Sequence, residues 1–142
     1  MAQYKHLKIY KASYDLLLRI TQAIKGFARE YKYTLGEKLQ NEAIELVICI
    51  YKANSAHNKT EYIKSILEHV QFIELFLRIS HDLQILSREH YAQIVEMTQG
   101  VAKQAQAWLN SFDGKGSESA SVTAKQRGLS HFVGDGCHEQ PT

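Results

Sequence analysis

Helical periodicity without proline is the feature that most constrains this chain. Its single proline is Pro141, so no earlier position loses a backbone N–H or forces a kink. Apolar residues recur at spacings of one, three, four and seven, the period of an amphipathic helix, and no strand-like alternation is found. The pattern predicts helices over about residues 4–30, 35–55, 59–86 and 88–112. Short connections favour antiparallel neighbours, so the predicted fold is all-α, an up-down antiparallel four-helix bundle.

Several polar residues and one glycine mark the expected helix ends and contacts. Thr34 and Glu37 form a T-x-x-E capping box before the second helix, and Asn58 is a cap signal before the third. Ser87 is a favourable N-cap for the fourth. Gly100 and nearby alanines in MTQGVAKQAQAW predict that a neighbouring helix approaches closely there.

Composition separates a bundle from a tail. Residues 1–112 hold the periodic segments, whereas residues 113–142 form a polar, Gly/Ser-rich tail. No run reaches the roughly 18 apolar residues of a membrane helix, and MAQYKHLKIY has no apolar signal core. The two cysteines are not in a C-x-x-C arrangement. We therefore expect a cytoplasmic protein with no membrane partner.

The usual chemical motifs are absent from the sequence. No histidine follows a glutamate by three positions, so the ligand pairs of di-iron bundles are missing, as are H-E-x-x-H and C-x-x-C-H. His81-Asp82 is interpreted as a surface polar pair, with a metal-site fragment or proton relay as the alternative. We therefore expect no enzyme, no catalytic residue, no metal, no cofactor and no small-molecule substrate.

The second and third helices each carry two apolar stripes, although a bundle needs only one per helix. A second stripe indicates a subunit interface, because every helix of so small a bundle reaches solvent on some side. Alternatively, the second stripe continues the core as the helix rotates. The predicted interface comprises Ile44, Ile48, Tyr51, Phe72, Leu75, Phe76, Ile79 and Leu83.

Positive charge is concentrated at the start of the chain. Residues 1–33 carry a local net charge of +5, whereas residues 34–112 carry −2. Such a face can bind phosphates without reading sequence, or it can simply be solvated. Arg78 either pairs with Asp82 one turn later or contacts a partner chain or nucleic acid. The candidate nucleic-acid-binding residues are Lys5, Lys8, Lys11, Arg19, Lys25, Arg29, Lys32 and Arg78.

Four segments together resemble a known family: LKIYKASYDLLLRI, YTLGEKLQNEAIELVICIYKANS, LRISHDLQILSREHY and WLNS. They are similar to small four-helix-bundle proteins related to ribosomal intervening-sequence proteins, and within that group to the accessory variability determinant of diversity-generating retroelements. The resemblance spans about residues 7–111. Trp108 stands where the family often has a tryptophan. The family often has Phe-Pro after the first helix, whereas here Ala28 follows Phe27.

The resemblance implies a homopentameric ring of bundles with a positively charged surface. It implies a non-enzymatic role, in which the ring binds the reverse transcriptase and nucleic acid, as template RNA or cDNA, during mutagenic retrohoming. Arg78 matches an arginine common in the family motif. The alternatives are an oligomeric interaction bundle without a nucleic-acid role and, in a third class, an all-α metal or haem enzyme.

Overall fold

A computed structural model describes the backbone of residues 3–113 and the side chains of residues 8–112. It contains α1 (Gln3–Lys25), α2 (Arg29–Lys32), α3 (Leu35–Ser55), α4 (Lys59–Asp82) and α5 (Arg88–Asp113). No strand occurs within that range. None of these helices has the length and apolar character needed to cross a membrane. Helices α1 to α4, and α5 as far as Leu109, belong to one compact unit. Apart from Asp113, the predicted tail lies outside the described residues.

The four long helices form the predicted all-α four-helix bundle. Helix α3 packs against α1 and α4, and a hydrogen bond from Arg19 to Gln93 joins α1 to α5. Burying each large aliphatic side chain of the core contributes about 1.5–3 kcal/mol. The first stripes of α3 and α4 provide much of this core, as the periodicity predicted. Fully buried members of the core include Leu16, Ile20, Leu39, Leu46, Ile63, Ile66, Ile73, Leu77, Ile94 and Val101.

Three buried hydroxyl groups interrupt the apolar core without leaving a donor unsatisfied. Ser13 donates to the Tyr10 carbonyl, Ser80 to that of Phe76, and Thr98 to that of Ile94, each at 2.8 Å. A buried hydroxyl with no partner would be costly, whereas one that bonds back to its own helix is tolerated.

Helix α1 ends at Lys25, so the prediction that it continues to about residue 30 is wrong. The Gly26 and Phe27 N–H groups close a tight turn on the Ala23 and Ile24 carbonyls, at 3.0 and 2.9 Å. This turn places the Phe27 side chain in the core, where it is 4% exposed. Burial of Phe27 therefore ends the helix, although its apolar character had extended the sequence period.

Helix α4 ends at Asp82 rather than near Leu86. Gln84 adopts a left-handed backbone, with φ of 62°. Its N–H donates to the His81 carbonyl and the Ile85 N–H to the Ser80 carbonyl, both at 2.9 Å. These two bonds form a Schellman motif, whose left-handed position usually holds glycine or asparagine. A glutamine there gave no stop signal in the sequence.

The predicted N-caps have different outcomes. Ser87 does cap α5, because its hydroxyl accepts a hydrogen bond from the His90 N–H at 3.2 Å. Thr34 makes no capping bond and instead donates to the Glu30 carbonyl at 3.0 Å. Asn58 also makes no capping bond. The capping-box prediction at Thr34 is therefore wrong.

Lys59, the first residue of α4, stabilises the connection between α3 and α4. Its ammonium group donates to the carbonyls of Ala53 and Asn54, both at 2.9 Å, and of Ala56 at 3.2 Å. A cation at a helix C-terminus satisfies carbonyls that have no helical partner and favours the helix dipole. One side chain thus holds the end of α3 next to the start of α4.

The two glycines within helices have opposite surroundings. A Cβ on Gly36 would lie 2.9 Å from a methyl group of Ile24 and 3.2 Å from the Tyr31 carbonyl oxygen. A Cβ on Gly100 would meet no described atom within 4 Å. The predicted close approach of a helix at Gly100 is therefore wrong within the described residues, and the close approach occurs at Gly36.

We predict opposite effects of alanine at these two positions. Gly36→Ala should lower the free energy of unfolding by about 1–3 kcal/mol, because Ile24 has to move. Gly100→Ala should raise it by up to about 1 kcal/mol through helix propensity alone. Urea unfolding followed by circular dichroism measures both. A Gly36→Ala protein as stable as the original would contradict the close approach.

Candidate subunit and nucleic-acid interfaces

The second apolar stripe of α3 lies on the outside of the single bundle. Ile44, Ile48 and Tyr51 are 37%, 38% and 70% exposed, whereas the first stripe of the same helix is buried. The stripe on α4 is mixed. Leu75 and Leu83 are 50% and 53% exposed. The other predicted members, Phe72, Phe76 and Ile79, are half-buried, and Phe76 packs against the core.

Helix α1 adds an outward apolar row that the sequence-based predictions did not include. Tyr10, Tyr14 and Leu18 are 36%, 45% and 48% exposed, at helical spacings of four. The Tyr10 and Tyr14 rings stack with centroids 6.3 Å apart. The regular spacing of exposed apolar residues was the signal that could have identified this row.

The rows on α1 and α3 lie at the same level of the bundle. The Gln40 amide of α3 donates to the Thr21 hydroxyl of α1 at 3.3 Å, which aligns the two antiparallel helices. Because antiparallel helices rise equally per residue, eleven residues back from Thr21 and eleven residues on from Gln40 reach the same level, so Tyr10 lies level with Tyr51. By the same reasoning Leu18 lies level with Ala43. By helical period, each row lies on the same side of its helix as the hydrogen bond between Thr21 and Gln40. We call this surface the α1–α3 patch: Tyr10, Tyr14, Leu18, Ile44, Ile48 and Tyr51.

The apolar row on α4 lies at a different level. Glu42 of α3 contacts His69 of α4 at 2.7 Å, which aligns that pair of helices in turn. Counting residues along the two antiparallel helices from this contact places residues 75–83 of α4 opposite the start of α3 and beyond it. This level is on the order of 20 Å along the helix axis from the level of Ile48. We call this second surface the α4 row: Phe72, Leu75, Phe76, Ile79 and Leu83.

The candidate cations do not form one surface. Lys8 and Arg29 are exposed, and Lys11 is an exposed partner of Asp15 at 3.3 Å. Arg19 donates two hydrogen bonds to the Gln93 side-chain oxygen, at 3.1 and 2.9 Å, in the crevice between α1 and α5. The side chain of Lys5 lies outside the described residues.

Arg78 lies on a different helix from the other candidate cations. Its guanidinium is 3.9 Å from the Asp82 carboxylate, and the two side chains are 73% and 64% exposed. An ion pair this long and exposed contributes little to stability. His81 also approaches Asp82, at 3.6 Å, while its ring stacks on Tyr91 with centroids 4.5 Å apart.

Lys25 and Lys32 both line a cavity of about 440 Å³ between the end of α1 and the start of α3. Tyr33, at the end of α2, stands beside them with its side chain 68% exposed. We call this the Tyr33 cavity. Its lining consists of Thr21, Ile24, Lys25, Lys32, Tyr33, Glu37, Gln40 and Asn41. Sequence analysis identified the two lysines but none of the other lining residues as functional.

A cluster of three polar side chains joins α3 to α4. The His69 imidazole contacts the Glu42 carboxylate at 2.7 Å, with the two side chains 22% and 24% exposed. The pKa of His69 is raised from 6.5 to about 9, chiefly by hydrogen bonding to Cys49. Burial opposes this rise, whereas hydrogen bonding and charge attraction from Glu42 add to it. At neutral pH the imidazole is therefore a cation held between Glu42 and Cys49.

This cluster was not predicted, because its members are far apart in sequence and carry no motif spacing. Within residues 3–113 no group of three or more His, Cys, Asp or Glu side chains is arranged to hold a metal ion. The contact between Glu42 and His69, 2.7 Å long, joins α3 to α4 through a charge-assisted hydrogen bond.

Comparison with known proteins places the bundle in a family. The bAvd-like family model matches residues 7–112, which include all of α3 and α4 and most of α1 and α5. The chain belongs to the bAvd-like family. This is the accessory variability determinant family, so the resemblance seen in the sequence is confirmed, and the family suggests an accessory variability role. No curated protein matches the chain.

The match to the bAvd-like family includes both apolar surfaces and the Tyr33 cavity. Every candidate interface residue lies within it, and Lys5 is the one candidate cation outside it. It ends at Phe112, before the predicted tail.

We predict a pH-dependent contribution of His69 to stability. Because the folded-state pKa is raised, its stabilisation is complete below about pH 6.5 and is lost as the pH rises through about 9. At pH 6, His69→Gln should lower the free energy of unfolding by about 1–3 kcal/mol relative to the original protein, a difference that shrinks by pH 9.5.

Urea titrations at one fixed protein concentration provide this comparison. His57→Gln is the matched control, because His57 is exposed in the loop before α4. The control should follow the original protein at both pH values. An equal loss for His69→Gln at pH 6 and pH 9.5 would show that the charged imidazole is not the stabilising form.

Proposed function

We propose that this chain is a non-enzymatic accessory protein that forms a homopentameric ring in the cytoplasm. The ring binds the reverse transcriptase and nucleic acid, as template RNA or cDNA, in mutagenic retrohoming of a diversity-generating retroelement. The observation that carries the proposal is the bAvd-like family match over residues 7–112. The two apolar surfaces and the basic start of the chain support its separate parts.

The arrangement of apolar surface supports a ring. A two-fold dimer needs one surface that packs against its own copy, whereas a ring needs two different surfaces that meet head to tail. The α1–α3 patch and the α4 row are two such surfaces at different levels of the bundle. Exposed tyrosine, leucine and isoleucine side chains in contiguous rows are typical of protein contact sites.

The charge distribution supports nucleic-acid binding. Residues 8–34, whose side chains are described, carry six Lys/Arg and two acids, a local net charge of +4. Lys8, Lys11, Lys25 and Arg29 are exposed. A ring repeats this charge in every subunit and thereby strengthens the field that attracts a phosphate backbone.

Membership of the bAvd-like family is the reason for proposing the reverse transcriptase as a partner. Arg78 supports a protein contact, because its only described ion pair is 3.9 Å long and leaves the side chain 73% exposed. An exposed arginine next to an apolar row resembles the composition of protein interfaces, where arginine is enriched. Leu75 is one turn from Arg78 on the same helix.

An interaction bundle without a nucleic-acid role is the second candidate. The same two apolar surfaces favour it equally, because they require only a second copy of the chain. The two candidates differ in one property, which is salt-dependent binding of RNA or DNA.

Reversing exposed charges at the start of the chain should abolish nucleic-acid binding. We expect Lys8→Glu, Lys11→Glu and Arg29→Glu together to weaken RNA or DNA binding by at least about tenfold at low salt, because up to three phosphate contacts are lost. Fluorescence anisotropy across a salt series measures this. Binding by the original protein should itself fall steeply with salt.

A matched control reverses three exposed charges elsewhere. Lys64→Glu, Arg88→Glu and Lys103→Glu change the net charge equally and lie on α4 and α5. This control should bind within about threefold of the original protein. Equal binding by both triple variants would favour the interaction bundle, provided that circular dichroism shows unchanged helix content.

Charge on either apolar surface should break the ring. Ile48→Glu disrupts the α1–α3 patch and Leu75→Glu disrupts the α4 row, so each alone should reduce the mass from five times 16.2 kDa to that of one chain. Light scattering after size exclusion measures the mass. Ala92→Glu, on the exposed face of α5, is the matched control and should leave it unchanged.

Mixing the two variants tests the head-to-tail arrangement. An Ile48→Glu chain keeps its α4 row and a Leu75→Glu chain keeps its α1–α3 patch, so one intact interface remains between them. The mixture should therefore form a heterodimer and nothing larger. A Leu75→Glu protein that dimerises by itself would instead indicate that the α1–α3 patch packs against its own copy.

A further inference from the structure

We propose that the Tyr33 cavity binds one unstacked nucleotide of a single-stranded nucleic acid. The base lies against the Tyr33 ring, and Lys25 and Lys32 bind the flanking phosphates. This inference rests on the proposed nucleic-acid binding and adds to it a site and a preference for single strands.

Tyr33 lies at the corner between α1 and α3 and is not part of the core. Burial of Phe27 ends α1, and the chain makes only the single turn of α2 before α3 begins at Leu35. Tyr33 falls at the end of that turn, and its side chain stays 68% exposed. An aromatic ring left so open contributes little to folding, but it offers a flat face to a ligand.

The size of the Tyr33 cavity favours one nucleotide. Its volume of about 440 Å³ lies in the lower part of the range for small-ligand sites, about 300–1,000 Å³. A base inside a duplex is stacked on both faces and cannot enter such a cavity, whereas a base of a single strand can turn into it. The proposed occupant is an unstacked base with its sugar and phosphate.

The chemistry of the lining suits a nucleotide. Lys25 and Lys32 supply two cations against the single carboxylate of Glu37. The Gln40 amide nitrogen is bound to Thr21, so its carbonyl oxygen remains as an acceptor. Amide and carboxylate groups bind base edges and ribose hydroxyls, whereas lysines bind phosphates. Stacking of a base on an aromatic ring tolerates any sequence.

The other exposed tyrosines and cations are less suited to this role. Tyr10 and Tyr14 already stack on each other within the α1–α3 patch. Arg19 lines a crevice near the start of α5, but both of its described hydrogen bonds go to Gln93. The Tyr33 cavity combines an open ring with two cations that are not committed to a described ion pair.

Photo-crosslinking locates the base directly. Oligouridylate and oligothymidylate probes, each carrying one 5-iodouracil, are irradiated with the full-length protein, and the crosslinked peptide is sequenced by mass spectrometry. Because the halogenated base reacts with an aromatic ring stacked on it, we expect the crosslink at Tyr33. A crosslink at Tyr10 or Tyr14 instead would overturn the assignment.

Substitutions then measure the contribution of each group. Tyr33→Leu should weaken single-strand binding about tenfold without changing its salt dependence, and Tyr33→Phe should bind like the original protein. Lys25→Gln with Lys32→Gln should weaken binding and reduce the salt slope by up to about two. Tyr62→Leu, at an exposed tyrosine of α4, is the control and should have no effect. Binding to a duplex should not depend on Tyr33.

The outcomes separate this inference from the proposed function. If the original protein binds single strands but Tyr33→Leu binds equally well, the cavity assignment is wrong and nucleic-acid binding stands. If the original protein binds neither probe nor a duplex at low salt, nucleic-acid binding itself is wrong. Tyr33→Leu must also keep the oligomeric mass of the original protein, because loss of both properties would mean that Tyr33 supports assembly and not a base.

Discussion

The close approach of α3 to α1 at Gly36 sets the geometry on which the rest of this bundle depends. Only a residue without a side chain fits there, because a Cβ would lie 2.9 Å from Ile24. Helix α1 ends just beyond Ile24, at Lys25, and Phe27 turns into the core at the same corner. It also brings Gln40 within hydrogen-bonding distance of Thr21. The corner thus fixes the level at which the two helices lie side by side.

Two surfaces follow from that one alignment. Farther from the corner, it places the apolar rows of α1 and α3 next to each other, so that neither row is an isolated stripe. At the corner, the same alignment leaves Tyr33 exposed at the surface, where it lines the Tyr33 cavity. Packing in the core and the shape of the outer surface are therefore consequences of the same contact, and a change at Gly36 affects both.

The sequence predicted what depends on helical period and missed what depends on the pairing of helices. The buried stripes of α3 and α4 followed from periodicity, because a helix must turn its apolar residues toward one side. The ends of α1 and α4 did not, because Phe27 and Leu86 continue the apolar pattern while the backbone has already turned. The left-handed Gln84 gave no local signal.

The same distinction applies to the candidate sites. Net charge and second stripes can be counted along a chain, and the family resemblance came from local segments. The contact of His69 with Glu42 and the meeting of Lys25 with Lys32 require the relative level of antiparallel helices, which periodicity leaves undetermined. The basic residues of α1 also face different neighbouring helices, because Arg19 bonds to α5 whereas Lys25 lines the cavity next to α3.

Helix α1 contributes to both of the proposed surfaces, which would connect the proposed assembly to the proposed nucleic-acid binding. Tyr10, Tyr14 and Leu18 belong to the proposed subunit contact, whereas Lys8 and Lys11 are exposed on the same turns. A whole chain has a net charge of only +2, which alone attracts a polyanion weakly. In the proposed ring each contact between subunits would bring the basic residues of α1 near a neighbouring bundle, so the local field would come from several chains. If nucleic acid binds as proposed, its affinity should therefore depend on assembly, even though the residues proposed to bind phosphate lie outside the proposed apolar contact.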